Sequence, residues 1–292
     1  MSLFSWRKEA RFKHILPMKT LRFIVVTVTL FFLPQSAWSQ EKEFLFGVVP
    51  QFDARKINTI WAPVLKEVGQ IAGVRLKLAG SANIPNFEKR FIRGEFDFAY
   101  MNPYHLIVAR EKQGYLPLIK DSGRQLFGII VVKRNSFISS IQELNGKRVA
   151  FPSPNALGAS LLPRSAFLNL FKIKVEPVYV KSHTSVYLNV LTNQVEAGGG
   201  VQKTFNRQPE HIKNALKIIY KTPKVAPHPI SVHPRVTKIN WQKIQAAFLQ
   251  LGSTPQGKIL LSKIPIQQVG MATIDDYLPL ESMGLERLYQ TK

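Results

Sequence analysis

Two turns in the middle of the chain carry residues whose types could bind an anion. The first follows a strand predicted over residues 147–151, and its candidate ligand-binding residues are Asn155, Ala156, Leu157 and Gly158. The second follows a strand predicted over residues 175–180, and its candidates are Ser182, His183 and Thr184. A helix is predicted to begin at each turn, and free N–H groups at a helix N-terminus attract anions. We therefore expect both turns to face one cleft.

Further candidates lie after strands in the first half of the chain. Gln51 follows the first strand, and Tyr100, Asn102 and Tyr104 surround the end of a strand predicted over residues 96–100. A tyrosine offers an aromatic wall and a phenol donor. Core packing, helix capping or turn formation explains each of these residues equally well. No single lysine or arginine can be selected by position as the partner of the anion.

The sequence lacks the motifs of most catalytic and metal sites. It has no cysteine, no paired histidines at metal spacing, no Gly-x-Ser-x-Gly elbow and no Gly-rich nucleotide loop. The acids that follow predicted helices, Asp97 and Glu196, are interpreted as structural, because a buried carboxylate would repel an anion. We therefore predict a protein without catalysis, metal or cofactor.

The charge of the chain restricts its partners. The formal net charge is +22, but lysine and arginine are scattered and never form a run of five. A nucleic-acid site requires a more concentrated basic patch with aromatic residues. We predict no nucleic-acid partner and a preference for a small anionic ligand.

The N-terminal residues have the pattern of a secretory signal. Basic residues precede an apolar stretch over 23–33, and small residues follow before Ser39. Because a membrane span needs about 20 apolar residues, this stretch predicts a signal peptide over 1–39, with Met18 as a possible start. An uncleaved anchor is the alternative. Either way, the body is expected in the periplasm.

The remaining chain alternates strands and helices, among them a helix predicted over residues 158–170 and a strand predicted over residues 194–198, which predicts an α/β protein. The clearest helix covers residues 57–71, with an apolar stripe at steps of three and four and Gly73 as its C-cap. The alternation occurs twice, which predicts two lobes. Lobe 1 covers residues 40–126, with residues 228–292 returning to it, and lobe 2 covers residues 127–227. Crossings near residues 125–128 and 223–229 would form a two-strand hinge.

Short motifs in a fixed order resemble the PhnD-like periplasmic binding proteins of phosphate, phosphite and phosphonate ABC transporters. The resemblance covers roughly residues 44–275. Its pieces are Phe46-Gly-Val-Val-Pro-Gln51, Trp61-Ala-Pro63, Gly94-x-Phe-Asp97-Phe-Ala99, Asn102-Pro-Tyr104, Leu144-Asn-Gly-Lys147, Pro154-Asn155, Leu162-Pro163-Arg164, Ser182-His183, Val195-Glu-Ala197 and Pro227-x-Pro-Ile230.

The resemblance implies a type II periplasmic-binding-protein fold, in which each lobe has a mixed sheet with flanking helices. It implies a monomer that captures a small oxyanion for an ABC-transporter permease, with His183 among the ligand-binding residues. Phosphonate binders of this family carry Ser-Thr-Ser where this chain has Ala156, Leu157 and Gly158. The alternative is therefore a sensing module that acts with a membrane sensor kinase on a ligand other than a phosphonate.

Overall fold

The computed structural model describes residues 42–290, so the predicted signal peptide over 1–39 lies outside the described residues. No helix within the described range has the length and apolar character that crossing a membrane requires. The helices are α1 (Ala54–Ala72), α2 (Ile84–Ile92), α3 (Pro103–Gln113), α4 (Leu162–Asn169), α5 (His183–Leu191), α6 (Gln202–Asn206), α7 (Glu210–Ala215), α8 (Lys238–Ser253) and α9 (Pro255–Leu261).

The strands form two separate sheets. They are β1 (Glu43–Val48), β2 (Arg75–Ala79), β3 (Phe98–Tyr100), β4 (Leu116–Asp121), β5 (Gly128–Lys133), β6 (Arg148–Phe151), β7 (Glu176–Tyr179), β8 (Ala197–Val201), β9 (Leu216–Lys221), β10 (Ile230–Val232) and β11 (Val269–Met271).

The first sheet has the order β11-β4-β10-β3-β1-β2. Strand β1 runs parallel to β2 and β3, whereas β10 runs antiparallel to β3 and β4. The predicted amphipathic helix is α1, which Asp53 caps at its N-terminus and Gly73, in the left-handed region, caps at its C-terminus. Helix α8 packs against α1, so the C-terminal part of the chain returns to this sheet.

The second sheet has the order β7-β6-β8-β5-β9. Strand β6 pairs in parallel with β7 and β8, and β5 runs antiparallel to β8 and β9. The predicted fold class, with two mixed sheets and flanking helices, is confirmed.

The chain passes twice between the two sheets. Leu126 and Val225 pair there through two backbone hydrogen bonds of 2.9 and 2.8 Å. The exact lobe boundaries stay a prediction.

Strand β8 shows why the sequence misleads around residues 194–201. The predicted strand over 194–198 begins three residues too early, because Gly198, Gly199 and Gly200 belong to the strand and not to a turn. A methyl group on Gly199 would lie 2.1 Å from the carbonyl oxygen of Ala159, and one on Gly200 would lie 2.2 Å from the hydroxyl of Tyr187. The glycines therefore let helices approach both faces of the sheet.

Three further strands, two short helices and one helix start differ from the expectations. Strands β9, β10 and β11 and the short helices α6 and α7 are not predicted from the sequence. Strands β9 and β11 lie at sheet edges, whereas β10 lies between β4 and β3. The helix predicted over 158–170 begins as a π-helical segment, Leu157–Leu161, before α4. A π-helical turn widens the backbone spacing, which the apolar periodicity of the sequence does not reveal.

Candidate functional site

Three cationic side chains gather where strands of both sheets end. Lys203 lies on α6, directly after β8, and Arg207 follows the end of the same helix. Arg124 lies three residues after β4, and its charge, like that of Arg207, acts on Lys203. We call Arg124, Lys203 and Arg207 the cationic cluster. Short connections after strand ends place these residues, so their positions depend on the sheets and not on flexible loops.

Lys203 is the most unusual member of the cationic cluster. Its Nζ is buried and has no hydrogen-bond partner among the described residues. The pKa of Lys203 is lowered to about 7, mainly by burial and then by repulsion from Arg124 and Arg207, whereas Asp121 acts in the opposite direction. A buried ammonium without a partner is costly, so a site of this kind is suited to an anion that completes it.

Asp121 is the carboxylate beside the cluster, and its oxygens are already occupied. It is 2% exposed. Arg124 donates to Oδ2 from Nε at 2.9 Å and from a terminal nitrogen at 2.7 Å. The backbone N–H groups of Gly123, Gln267 and Gln268 donate to the same carboxylate at 3.1, 3.1 and 3.3 Å. Asp121 therefore fixes Arg124 and has little capacity left for a ligand.

Aromatic and imidazole rings form the wall beside the cluster. The ring of Tyr100 stacks on His228 with centroids 5.4 Å apart and contacts Trp61 on another side, at 4.9 Å. The side-chain nitrogen of Gln51 lies 2.9 Å from Nε2 of His228. Burial lowers the pKa of His228 to about 3, assisted by the charges of His105, Lys203 and His183. At neutral pH His228 is therefore an uncharged polar group.

His183 occupies the first turn of α5, as the predicted elements require. Its Nδ1 lies 3.3 Å from the hydroxyl oxygen of Thr204, which in turn lies 3.1 Å from the hydroxyl of Tyr187. Burial lowers the pKa of His183 to about 4. His183 can therefore offer a neutral N–H to an anion at physiological pH, but it contributes no charge.

Arg207 contacts a residue of the first sheet. Its guanidinium carbon lies 5.8 Å from the ring centroid of Phe52, which follows β1. Burial of part of its side chain and the charge of Arg124 both lower the pKa of Arg207. Arg207 is an exposed residue, and it forms no ion pair with a carboxylate within the part of the chain that the structure describes. The positive charge of Arg207 therefore adds to that of Lys203 at the same edge.

Asn155, in the first predicted turn, lies in a buried hydrogen-bond network, and its predicted contact with the ligand stays a prediction. Asn155 is 1% exposed, and its side-chain nitrogen donates to Glu88 at 3.0 Å and to the carbonyl of Gln290 at 2.8 Å. Its side-chain oxygen accepts from the N–H of Gln290 at 2.9 Å. Asn102 donates to the carbonyl of Asn155 at 3.2 Å, and His105 bonds Glu88 at 2.8 Å. The amide groups of Asn155 and Asn102 are therefore committed to a buried structural network.

The residues after Asn155 are packed as core. Ala156, Leu157 and Gly158 are buried. Leu157 joins the core of the first sheet, and the carbonyl oxygen of Gly158 would lie 1.9 Å from a methyl group on Gly128. These residues lie between the sheets, and their predicted role as backbone anion donors stays a prediction.

The remaining candidates are spread over different surroundings. Ser182 is exposed and caps α5 by accepting from the N–H of Ser185 at 3.1 Å, and Thr184 is exposed beside it. Tyr104 packs against Tyr289 at 5.4 Å and lines a separate groove with Arg110 and Glu111. Of the predicted site residues, the structure therefore brings Gln51, Tyr100 and His183 toward the cationic cluster, and it places Tyr104 elsewhere.

The network around Asn155 makes a stability prediction. Asn155→Ala leaves Glu88 and both backbone groups of Gln290 without their partner in a buried place. We expect a loss of about 2 kcal/mol in the free energy of unfolding, because an unsatisfied buried polar group costs about 1–3 kcal/mol. Denaturant unfolding measures it. Asn58→Ala, at an exposed position of α1, should cost much less, and equal losses would contradict the structural role of Asn155.

The cationic cluster and His228 were not selected from the sequence. Their positions in the sequence could have indicated them, because Arg124 follows β4 and Lys203 follows β8, just as His183 follows β7. The rule that ligands bind beyond strand ends applies to these residues as well. The scattered distribution of lysine and arginine hid them, because only the fold shows that Arg124 and Lys203, 79 positions apart, are neighbours.

Comparison with known proteins gives the family context of this site. The family model described as "ABC transporter, phosphonate, periplasmic substrate-binding protein" matches residues 46–277. The phosphonates-binding periplasmic protein of Escherichia coli K12 is 22% identical over 246 residues, which cover 79% of this chain and 72% of that protein.

Solved structures show the same fold. A binding protein component of an ABC phosphonate transporter from Pseudomonas aeruginosa has a TM-score of 0.75 at 17% identity, covering 85% of this chain and 88% of that chain. PhnD1 from Prochlorococcus marinus, solved with methylphosphonate, has a TM-score of 0.75 at 16% identity, covering 84% and 98%. The sensor-kinase alternative finds no support in these comparisons. The chain belongs to the family of periplasmic substrate-binding proteins of phosphonate ABC transporters.

Proposed function

We propose that this protein captures a small oxyanion of the phosphonate, phosphite or phosphate type at the cationic cluster and delivers it to a membrane permease. The observation that carries the proposal is the buried Nζ of Lys203, which has no partner among the described residues. The charges of Arg124 and Arg207 act on the same ammonium. An anion placed there would neutralise charge that the fold keeps out of water, which favours the bound state.

The neighbouring groups suit an oxyanion. The N–H of a neutral His183 and the phenol of Tyr100 are uncharged, so they can orient oxygens without adding charge. The half-buried ring of Phe52, which the guanidinium of Arg207 contacts, supplies apolar surface for a short organic substituent. Most small-ligand sites combine such an apolar wall with a few placed polar groups.

Closure of the two lobes would complete the site. Lys203 and Arg207 follow a strand of the second sheet. Phe52 and Arg124 follow strands of the first sheet, and Tyr100 is the last residue of β3. The paired segments at Leu126 and Val225 form the connection about which the lobes would move. A ligand held from both sides stabilises the closed form by its differential affinity. We keep the predicted signal peptide, the periplasmic location and the monomeric state as part of this proposal.

Thermal unfolding with added ligand tests the function. The purified protein is titrated with methylphosphonate, phosphite and phosphate, and sulfate serves as a second oxyanion. A ligand at one hundred times its dissociation constant adds about 2.7 kcal/mol of stability. This corresponds to a rise of about 5–10 °C in the melting temperature. If none of these anions raises the melting temperature, and calorimetry detects no binding, the proposal fails.

The pKa of Lys203 predicts the pH dependence of binding. In the free protein the pKa of Lys203 is lowered to about 7, and a bound anion raises it, so the complex binds more protons than the separate partners. The contribution of Lys203 to affinity, taken as the difference between the unsubstituted protein and Lys203→Met with the same ligand, should therefore be largest below pH 7 and decrease as the pH rises above 7. Calorimetry in buffers of different ionisation enthalpy measures the proton uptake directly. If Lys203→Met takes up as many protons on ligand binding as the unsubstituted protein does, Lys203 is not the group that takes up the proton.

A further inference from the structure

The carboxylates near the cationic cluster are already engaged. Asp121 accepts five hydrogen bonds, two of them from Arg124. The buried Glu88 accepts from Asn155 at 3.0 Å and bonds His105 at 2.8 Å. A cationic group on a ligand would need a free carboxylate as partner. Among the described residues that surround the cluster, neither of these two acids offers one.

The positive charges of the cationic cluster, unlike the carboxylates, are not all paired. Arg124 is balanced by Asp121, but among the described residues Nζ of Lys203 has no hydrogen-bond partner and Arg207 forms no ion pair. Three further titratable groups lie around the cluster: His228, on which the charge of Lys203 acts, His183, which acts on His228, and Tyr100, on which Arg124 and Arg207 act. Burial lowers the pKa of both histidines and raises that of the tyrosine, so all three are uncharged at neutral pH. The site therefore has an excess of positive charge that an uncharged or zwitterionic ligand would leave unbalanced.

We propose that the ligand is a small anion with at least two negative charges and no cationic group, and that Lys203 with Arg207 selects it. This inference rests on the proposed function and names the ligand class of the same site. An ammonium on the ligand would lie in a cleft where two fixed cations repel it and no free carboxylate compensates. Like charges in a poorly solvated site strongly disfavour a partner.

The chemical class follows from this charge pattern. Alkylphosphonates, phosphonocarboxylates and phosphate satisfy it when fully ionised. Aminoalkylphosphonates present the same phosphonate group but carry an ammonium two or three bonds away. Discrimination between the two classes would then come from the substituent and not from the phosphonate itself.

A matched pair of ligands tests the inference. Calorimetry on the full protein compares ethylphosphonate with 2-aminoethylphosphonate, which share chain length and differ in the ammonium. We expect 2-aminoethylphosphonate to bind at least about tenfold more weakly. In Lys203→Glu, the new carboxylate should reduce or reverse this ratio, whereas Lys243→Glu on the exposed face of α8 should leave it unchanged.

The outcomes separate this inference from the proposed function. Equal or tighter binding of 2-aminoethylphosphonate to the unsubstituted protein overturns the charge selection and leaves the proposed function standing. Binding of neither phosphonate, together with no binding of phosphate, overturns both. A ratio that stays the same in a folded Lys203→Glu removes Lys203 as the selecting residue, and circular dichroism of that variant shows whether it is folded.

Discussion

Lys203→Met should raise the melting temperature of the ligand-free protein and at the same time weaken anion binding by about 100-fold. The two effects have one physical cause. The folded protein holds the Lys203 ammonium in a buried place without a partner, so the folded state carries a cost that methionine removes. The same ammonium stabilises the bound anion, and truncating one member of a buried charge pair costs about 2–5 kcal/mol of binding free energy.

The size and the pH range of the stability gain in Lys203→Met follow from the pKa of Lys203. The pKa of Lys203 is lowered to about 7 in the folded state, below the ordinary value of the unfolded chain. The unfolded state therefore binds more protons between pH 7 and the ordinary lysine pKa of about 10.4, and stability rises with pH in this window. The gain from Lys203→Met is fully present below pH 7 and shrinks toward pH 10. We expect about 2 kcal/mol at pH 6.5, or about 4–8 °C, after allowing for partial solvation.

A control distinguishes this trade-off from a general effect of removing a lysine. Lys243 is exposed on α8, so Lys243→Met should change stability by no more than about 0.5 kcal/mol and should not change affinity. Differential scanning calorimetry at pH 6.5 and 9.5, with isothermal titration at the lower pH, measures both quantities. A Lys203→Met variant that is less stable and binds normally would show that Lys203 is a packing residue.

The sequence predicts the fold well because its signals are local. The apolar stripe and Gly73 cap of α1 depend on residues within a few turns, and the alternation of strands and helices identifies both halves of the protein. Edge strands such as β11 were missed because three residues carry little periodicity. The glycines of β8 read as a turn in isolation, since only the packed helices show why side chains are excluded there.

The candidate site was less predictable because it depends on distant residues. His183 and Tyr100 were found by their positions beyond strand ends, and this rule is local. Asn155 followed the same rule, but its amide is taken by Gln290, which lies 135 positions away. Lys203 and Arg124 become neighbours only when the two sheets are placed together. Chain topology, and not residue type, therefore decides which polar residues are free to bind.

Asp121→Asn should have the opposite pattern from Lys203→Met, with lower stability and retained or tighter anion binding. The carboxylate is 2% exposed and accepts from Arg124 and from three backbone N–H groups. Asparagine turns one acceptor into a donor that faces other donors, and it leaves Arg124 without its ion pair. Breaking a buried pair costs about 3–5 kcal/mol, so we expect about 3 kcal/mol of lost stability by denaturant unfolding.

The gain in affinity would come from the charge balance of the cleft. Without the carboxylate, the charge of Arg124 is no longer balanced and adds to those of Lys203 and Arg207. Because Asp121 also favours the protonated form of Lys203, its loss lowers the pKa of Lys203 further, so the tighter binding should be clearest near pH 6. Asp275→Asn, at an exposed position, should change neither quantity. If Asp121→Asn instead lowers both affinity and stability, the carboxylate of Asp121 supports ligand binding. It would do so either by holding Arg124 in position or by pairing directly with a cationic group of the ligand. Measuring the affinity of Asp121→Asn for ethylphosphonate and for 2-aminoethylphosphonate separates these two cases. Only direct pairing with a cationic group would weaken 2-aminoethylphosphonate alone.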